Sequence, residues 1–226
     1  MIEQIEKILI SKATKRQQTF SGSLIPNALP ILGVKTPEIR LLAKQIIKGD
    51  FRLFLNKCEP KTFEMQLLKG YVIAEAKMDI NEKLNYLDQF IPTITDWAVN
   101  DGLSSALKCC KKYSKEMFNY LLKYKNSKKE FEVRFVSVML MSYYLNDDYI
   151  DIVFSILDDL YLNDYYAKMG VAWCIATAMA KYPDKTKKYF ENNNLDSWTI
   201  NKSISKCRDS LVVSKSDKNY ILRFKK

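Results

Sequence analysis

The sequence of 226 residues contains no histidine, and this absence excludes several classes of catalytic site. Without an imidazole, the chain cannot form a Ser-His-Asp or Cys-His nucleophile system, nor a metal site of the H-E-x-x-H type. An enzyme with this sequence must therefore use carboxylate, lysine, tyrosine, cysteine or arginine side chains for its chemistry.

Cysteine is present, but not in the patterns of a disulfide framework or a zinc site. The five cysteines are odd in number and include no C-x-x-C pair. They are typical of reduced thiols in a cytosolic protein, so we expect a cytoplasmic protein that needs no metal and no organic cofactor. The first ten residues lack the build of a signal peptide, and no apolar run approaches the length of a membrane span. We therefore expect no membrane partner.

Glycine and proline are also scarce, with six of each, and no segment alternates with the period of a strand. Long apolar helices are predicted to begin near residues 62, 95, 129 and 163, each followed by a shorter helix, near 81, 114, 148 and 184. A last pair begins near Asp196 and Ser216, and the stretch from Ser11 to about Lys35 looks irregular. Starts that recur every 33 to 34 residues indicate stacked helical hairpins. The sequence predicts an all-α fold, a curved solenoid of stacked antiparallel helix pairs that forms a single domain over residues 1–226.

The chain is strongly basic, with 36 Lys and Arg against 26 Asp and Glu, a net charge of +10. From Lys181 to the end there are twelve basic and five acidic residues, so this last fifth carries +7 of the total. Clustered cations indicate a polyanionic partner, nucleic acid before membrane. The alternative is a basic protein whose solvated tail binds nothing.

One helix, predicted within residues 93–111 with Thr95 as its N-cap, combines an apolar stripe with an unusual polar face. Trp97 and Asp101 are four residues apart and share the polar face. The stripe consists of Val99, Leu103, Ala106 and Cys110, and the polar face adds Ser104 and Lys108 to Trp97 and Asp101. A large indole beside a carboxylate on a polar face favours a functional site, although an exposed helical carboxylate would fit the pattern of Asp101 alone.

Arg134 and Trp173 could occupy positions equivalent to Trp97 on the following long helices. They lie 37 and 39 residues further along in turn, close to one repeat each. Arg134 belongs to a narrow polar seam, with Glu130 and Ser137, on an otherwise apolar helix. The small neighbours of Trp173 suit either a packed core or the floor of a cleft.

These residue types fit the hydrolysis of an N-glycosidic bond. Arginine can bind a phosphate bidentately, and indole rings attract cations and sugar C–H groups. A carboxylate stabilises the oxocarbenium-like state in which positive charge develops at the sugar carbon, and it can act as a base for water. A base that is already cationic through alkylation leaves without a general acid, so the reaction needs no histidine.

From about residue 33 onward, the chain resembles the AlkD-type alkylpurine DNA glycosylases, which are built of HEAT-like repeats. The matching segments are Gly33 to Arg40 (GVKTPEIR), Asp96 to Asp101 (DWAVND), Arg134 within EVRF, Trp173 within GVAW, and Lys206 to Ser210 (KCRDS). The resemblance implies that Trp97, Asp101, Arg134 and Trp173 line a DNA cleft. It further implies excision of cationic N3- and N7-alkylated purines, without drawing the base into a pocket, in contrast to most enzymes that act on bases.

The resulting prediction is a monofunctional alkylpurine DNA glycosylase that acts as a monomer on double-stranded DNA containing alkylated bases. Asp101 is the predicted catalytic residue, and Trp97, Arg134 and Trp173 are predicted DNA contacts. Lys202, Lys206 and Arg208 are further predicted phosphate contacts. The alternative is a non-catalytic helical-repeat scaffold that binds DNA, RNA or protein. A protein-only adaptor is less favoured, because it would not explain the excess of basic residues.

Overall fold

The computed structural model describes residues 1–26 and 28–226, and this part of the chain contains fourteen α-helices and no strand. The helices are α1 (Ile2–Lys12), α2 (Lys15–Leu24), α3 (Thr36–Lys48), α4 (Phe51–Lys57), α5 (Phe63–Glu75), α6 (Ile80–Phe90), α7 (Trp97–Ala106), α8 (Ser114–Leu121), α9 (Glu130–Met139), α10 (Ile150–Asp159), α11 (Tyr165–Lys181), α12 (Pro183–Glu191), α13 (Ser197–Asp209) and α14 (Lys215–Ile221). The prediction of an all-α fold of consecutive helix pairs is confirmed.

The chain divides into two compact units, Met1–Tyr113 and Ser114–Lys226. The first unit contains α1 to α7 and the second contains α8 to α14. Each unit has its own buried apolar core. The predicted single domain over residues 1–226 stays a prediction.

In the first unit, the long helices α3, α5 and α7 pack in chain order, with α5 between the other two. Every residue of α5 from Phe63 to Leu68 is buried, which fits a helix covered on several sides. At Gly102 of α7, an added Cβ would lie 2.7 Å from Leu67 Cδ1 and 3.3 Å from the Tyr71 hydroxyl. Glycine at this position therefore allows α7 to approach α5 closely.

In the second unit, α11 packs between α9 and α13. Its centre is fully buried at Val171, Cys174 and Ile175. Polar side chains hold the start of one long helix against the preceding one. The Tyr166 N–H donates to Glu130 Oε1 over 2.6 Å, and Lys168 Nζ lies 3.4 Å from Asp196 Oδ1. The first of these contacts supplies a partner to a backbone N–H that a helix leaves open at its N-terminus.

The helix starts predicted near residue 62 and near Asp196 agree with the structure. Thr62 and Asp196 each accept a hydrogen bond from a backbone N–H in the first turn of the helix that follows, and Asp50 caps α4 in the same way. At α3, Thr36 is the first helical residue and Lys35 occupies the cap position.

The prediction of an irregular stretch from Ser11 to Lys35 was wrong for its first half. The helix α2 (Lys15–Leu24) lies within it, and Thr14 Oγ1 caps the helix by accepting from Gln17 N over 3.3 Å. This helix is polar and short, so it gives almost no apolar period from which to predict it. The part of that prediction that falls on Asn27 lies outside the described residues.

The loop before α3 is organised around the buried carboxylate of Glu64. Its two oxygens accept from the N–H groups of Leu32, Gly33 and Val34 at 2.9, 2.7 and 3.1 Å. Gly33 has a φ of +98°, a conformation that glycine adopts without strain. The GVKTPEIR segment therefore begins with a turn fixed to α5.

Candidate functional site

Asp96 determines where α7 begins. Its Oδ1 accepts from the Val99 N–H over 2.9 Å, so the N-cap is Asp96 and not Thr95, which is exposed. The Asp96 side chain is 1% exposed, and burial raises the pKa of its carboxyl to about 6. Hydrogen bonds from the Val99 and Ala98 N–H groups oppose this shift, and the charge of Asp101 adds to it. Asp96 and Asp101 are therefore electrostatically linked.

Trp97 and Asp101 lie one turn apart on α7, and both are partly exposed. The indole Nε1 of Trp97 donates to the Leu24 carbonyl over 2.9 Å, which ties α7 to the end of α2. Asp101 is followed directly by Gly102, where α7 packs closely against Leu67 and Tyr71 of α5. The helix that carries the carboxylate is thus anchored on both sides within the first unit.

The predicted extent and polar face of this helix need correction. The α-helix spans only Trp97–Ala106, and a 3₁₀ turn, Lys108–Lys111, follows it. Ser104 was predicted on the polar face, but it is fully buried and its hydroxyl donates to the Asn100 carbonyl over 2.8 Å. The apolar stripe is buried as predicted at Val99, Leu103, Ala106 and Cys110, although Cys110 belongs to the 3₁₀ turn.

Arg134 lies in the packed seam between α9 and α11. It is 4% exposed, and its Nη1 donates to the Tyr166 carbonyl over 2.9 Å. A Cβ added at Gly170 of α11 would collide with Ser137 Oγ and lie 3.4 Å from Arg134 Cγ. Glycine therefore lets α11 close onto the seam of Glu130, Arg134 and Ser137. The role of Arg134 as a DNA contact stays a prediction.

Trp173 is 40% exposed, which resolves the choice between core and surface in favour of the surface. Lys206 Nζ lies 5.8 Å from the centre of its ring, within cation–π distance. Lys202 precedes Lys206 by one helical turn on α13 and is also partly exposed. Arg208 is exposed, but about 200° around the helix from Lys206, so it points to a different face.

Trp198 was missed by the sequence analysis, although its position at one turn before Lys202 was a usable signal. It is 38% exposed, its ring centre lies 5.6 Å from that of Tyr165, and Lys168 Nζ lies 6.0 Å above it. Aromatic rings and lysines therefore alternate on α11 and α13. We name this surface the lysine–tryptophan face, and it comprises Tyr165, Lys168, Trp173, Trp198, Lys202 and Lys206.

The candidate residues thus form two groups, each inside its own unit. Trp97 and Asp101 belong to the first unit, whereas Arg134, Trp173, Lys202, Lys206 and Arg208 belong to the second. That both groups line one cleft stays a prediction. Within the described ranges, no three Cys, Asp or Glu side chains are placed to hold a metal ion, and no helix is long and apolar enough to cross a membrane.

Comparison with known proteins gives one result that bears on this site. The family model described as "DNA alkylation repair enzyme" matches residues 5–207, which is most of the chain and includes both candidate groups apart from Arg208. None of the curated proteins that were compared matches the chain. Because the match covers far more than half of the sequence, the chain belongs to the DNA alkylation repair enzyme family.

Proposed function

We propose that the protein is a monofunctional DNA glycosylase that excises cationic N3- and N7-alkylated purines. The observation that carries this proposal is the pair Trp97 and Asp101 on α7. Both side chains are partly exposed, one turn apart, on a helix that is capped by Asp96 and anchored to α2 and α5. A catalytic carboxylate needs this combination of access and fixed position.

In the proposed reaction, the bond between C1′ of the deoxyribose and the purine nitrogen breaks. Its electron pair neutralises the positive charge of the alkylated base, so the base leaves without a proton donor. The Asp101 carboxylate stabilises the positive charge that develops at C1′ and accepts a proton from the attacking water. The products are the free alkylated purine and an abasic site.

The lysine–tryptophan face supports binding of double-stranded DNA by the second unit. Lys202 and Lys206 place two cations on one side of α13, where they can neutralise successive phosphates. The exposed ring of Trp173 lies beside Lys206 and offers an apolar surface for deoxyribose C–H groups. Arg134 and Arg208 are additional proposed contacts. The protein would act as a cytoplasmic monomer with no cofactor.

The test is incubation of the purified protein with DNA that has been methylated at purine nitrogens, followed by analysis of the released bases. We expect free 7-methylguanine or 3-methyladenine and an equal amount of abasic sites. Repair by direct removal of the methyl group would restore the base without an abasic site and would contradict the proposal. DNA binding with a steep salt dependence and no released base would instead support the non-catalytic scaffold.

A further inference from the structure

A concave feature of the first unit lies at the opposite end of α7 from the Asp96 cap. It is a cavity of about 680 Å³, lined by α3, by the C-terminal end of α5, by the segment that leads into α6 and by the 3₁₀ turn after α7. This volume falls within the usual range for small-molecule sites. Neither Trp97 nor Asp101 lines it, so it is separate from the proposed glycosylase site.

The cavity is strongly cationic. Its basic lining residues are Arg40, Lys44, Lys77, Lys83, Lys108 and Lys112. Among the described residues that line it, Glu75 is the one acid, and its Oε1 lies 3.0 Å from Arg40 Nη1. Concave surfaces that carry charge of one sign focus the electrostatic potential and concentrate ligands of the opposite sign. The lining therefore favours an anionic ligand.

Lys83 has a fixed place in the wall. It is 3% exposed, and its ammonium group donates to the carbonyls of Ile73, Ala74 and Ala76 at 2.6, 2.9 and 2.9 Å. Three acceptors satisfy all three of its N–H groups, at the end of α5 where helix carbonyls lack partners. Burial lowers the pKa of the Lys83 ammonium, while the two neighbouring thiols raise it. Lys83 thus places a buried cation next to Cys109 and Cys110.

Cys109 contributes a thiol to the same cavity wall. It is partly exposed, whereas the other four cysteines, Cys58, Cys110, Cys174 and Cys207, are buried. The neighbouring Cys110 thiol and the Lys83 charge lower the pKa of Cys109, and burial opposes this shift. Burial instead raises the pKa of Cys58 to about 11 and of Cys174 and Cys207 to about 12. Of the five cysteines, Cys109 is therefore the one that combines partial exposure with a lowered pKa, which favours the reactive thiolate form.

We propose that this cavity binds small anionic disulfides and that Cys109 exchanges with them to form a mixed disulfide. The Cys109 thiolate attacks one sulfur of the ligand, a new S–S bond forms, and the ligand's own S–S bond breaks. The Cys109 sulfur is oxidised, the departing sulfur is reduced, and the departing thiolate takes a proton from water. Lys108 and Lys112, which are exposed beside Cys109, attract the anionic ligand.

The experiment compares two disulfides of different charge. Protein is incubated with glutathione disulfide, which is anionic, or with bis(2-hydroxyethyl) disulfide, which is neutral, and the adduct is followed by intact mass and located by peptide mapping. We expect one adduct, on Cys109, and a faster reaction with the anionic disulfide. The Cys109→Ser variant should form no adduct, and Cys58→Ser should behave as the wild type.

The charge of the cavity is tested with the double variant Lys108→Gln and Lys112→Gln. Loss of two cations should slow the reaction with glutathione disulfide about tenfold and change the reaction with the neutral disulfide by less than about twofold. Labelling by neutral iodoacetamide serves as a check that Cys109 remains accessible in the variant. Equal slowing with both disulfides, an adduct on another cysteine, or no adduct at all would overturn the proposal.

The phosphate backbone of DNA is another anion that could occupy the cavity. A separate experiment, in which double-stranded DNA is added to the exchange reaction, distinguishes DNA from a small disulfide. If double-stranded DNA blocks the reaction of Cys109 and the anionic disulfide has no advantage over the neutral one, the cavity is a DNA contact and the proposal is wrong. None of these outcomes depends on whether the protein releases alkylated bases.

Discussion

The start of α7 in the first unit and the lysine–tryptophan face in the second unit carry opposite charges, and the start of α7 includes the buried carboxyl of Asp96. Asp96 is almost fully buried and Asp101 partly so, on a helix whose position is fixed by hydrogen bonds and a close helix contact. The cations of the second unit extend from partly exposed sites on α11 and α13. Electrostatic interactions are stronger where water is excluded and weaker where salt screens them. We propose that the first unit supplies the catalytic carboxylate and that the second supplies affinity for DNA.

The largest expected effect comes from Asp101→Asn, which removes the proposed catalytic charge and keeps the side-chain shape. We expect the rate of alkylpurine release to fall by about 100- to 1000-fold, the usual effect of losing one preorganised group that stabilises transition-state charge. Affinity for DNA should stay nearly unchanged, as measured by fluorescence anisotropy.

Asp148→Asn is the matched control for this variant, because it makes the same charge change at an exposed residue of the loop before α10. It should excise at the wild-type rate. Full activity of Asp101→Asn would show that the Asp101 carboxylate is not needed for excision, and it would contradict the assignment of catalysis to the first unit.

The buried carboxyl of Asp96 makes the stability of the first unit depend on pH. Its pKa in the folded state is about 6, above the ordinary value of 3.8, so the protonated form is favoured by folding. Its contribution to stability is therefore complete below about pH 4 and lost as the pH rises through 6, a total of about 3 kcal/mol.

The Asp96→Asn variant tests this dependence, because asparagine also caps a helix but carries no charge. Relative to the wild type, it should gain stability as the pH rises from about 4 to about 7, measured as Tm at each pH. In Asp101→Asn, the pKa of Asp96 should fall, since the Asp101 charge raises it. A constant difference in Tm between wild type and Asp96→Asn across this range would contradict the linkage.

Replacing Arg134 tests whether a buried cation of the second unit contributes to folding stability as well as to DNA binding. Because Arg134 is buried and donates to the Tyr166 carbonyl, Arg134→Ala should lower the free energy of unfolding by about 1–3 kcal/mol. Lys206 is only partly buried, so its replacement by alanine should cost less, within about 1 kcal/mol. Urea unfolding of both variants measures the difference, and equal losses would show that burial does not separate the two cations.

The smallest effect is expected from replacing the partly exposed lysines of α13. The double variant Lys202→Gln and Lys206→Gln should lower the slope of log affinity against log salt by about 2 if each lysine neutralises one phosphate. Lys188→Gln, an exposed lysine on α12, is the single-charge control and should leave the slope unchanged. If the double variant has the same slope as the wild type, Lys202 and Lys206 do not contact DNA phosphates.

Much of the fold could be predicted because local signals mark it. Thr62 and Asp196 cap helices at the predicted places, and the apolar stripe of α7 is buried. Helix α2 could not be predicted in this way, because tertiary hydrogen bonds support it. The Trp97 indole donates to the Leu24 carbonyl, and the Gln18 amide donates to the Ile31 carbonyl over 2.7 Å.

The candidate site was predictable only in part, for a similar reason. The pair Trp97 and Asp101 was predicted from helical spacing, and Lys202 and Lys206 from the basic excess of the last fifth of the chain. Helical spacing from Lys202 could have added Trp198. The burial of Ser104 and Arg134 depends on how closely α7 meets α5 and α9 meets α11, which glycines at positions 102 and 170 decide. The cationic cavity has no local signal, because its lysines come from segments far apart in sequence.

Excision at saturating enzyme, measured together with the dissociation constant on the same methylated DNA, tests the division between the two units most directly. The account predicts that Asp101→Asn loses excision and keeps affinity. It also predicts that the Lys202→Gln and Lys206→Gln double variant loses affinity and keeps the rate of excision once the DNA is saturated. Loss of the saturated rate in the double variant, or loss of affinity without loss of rate in Asp101→Asn, would contradict the account.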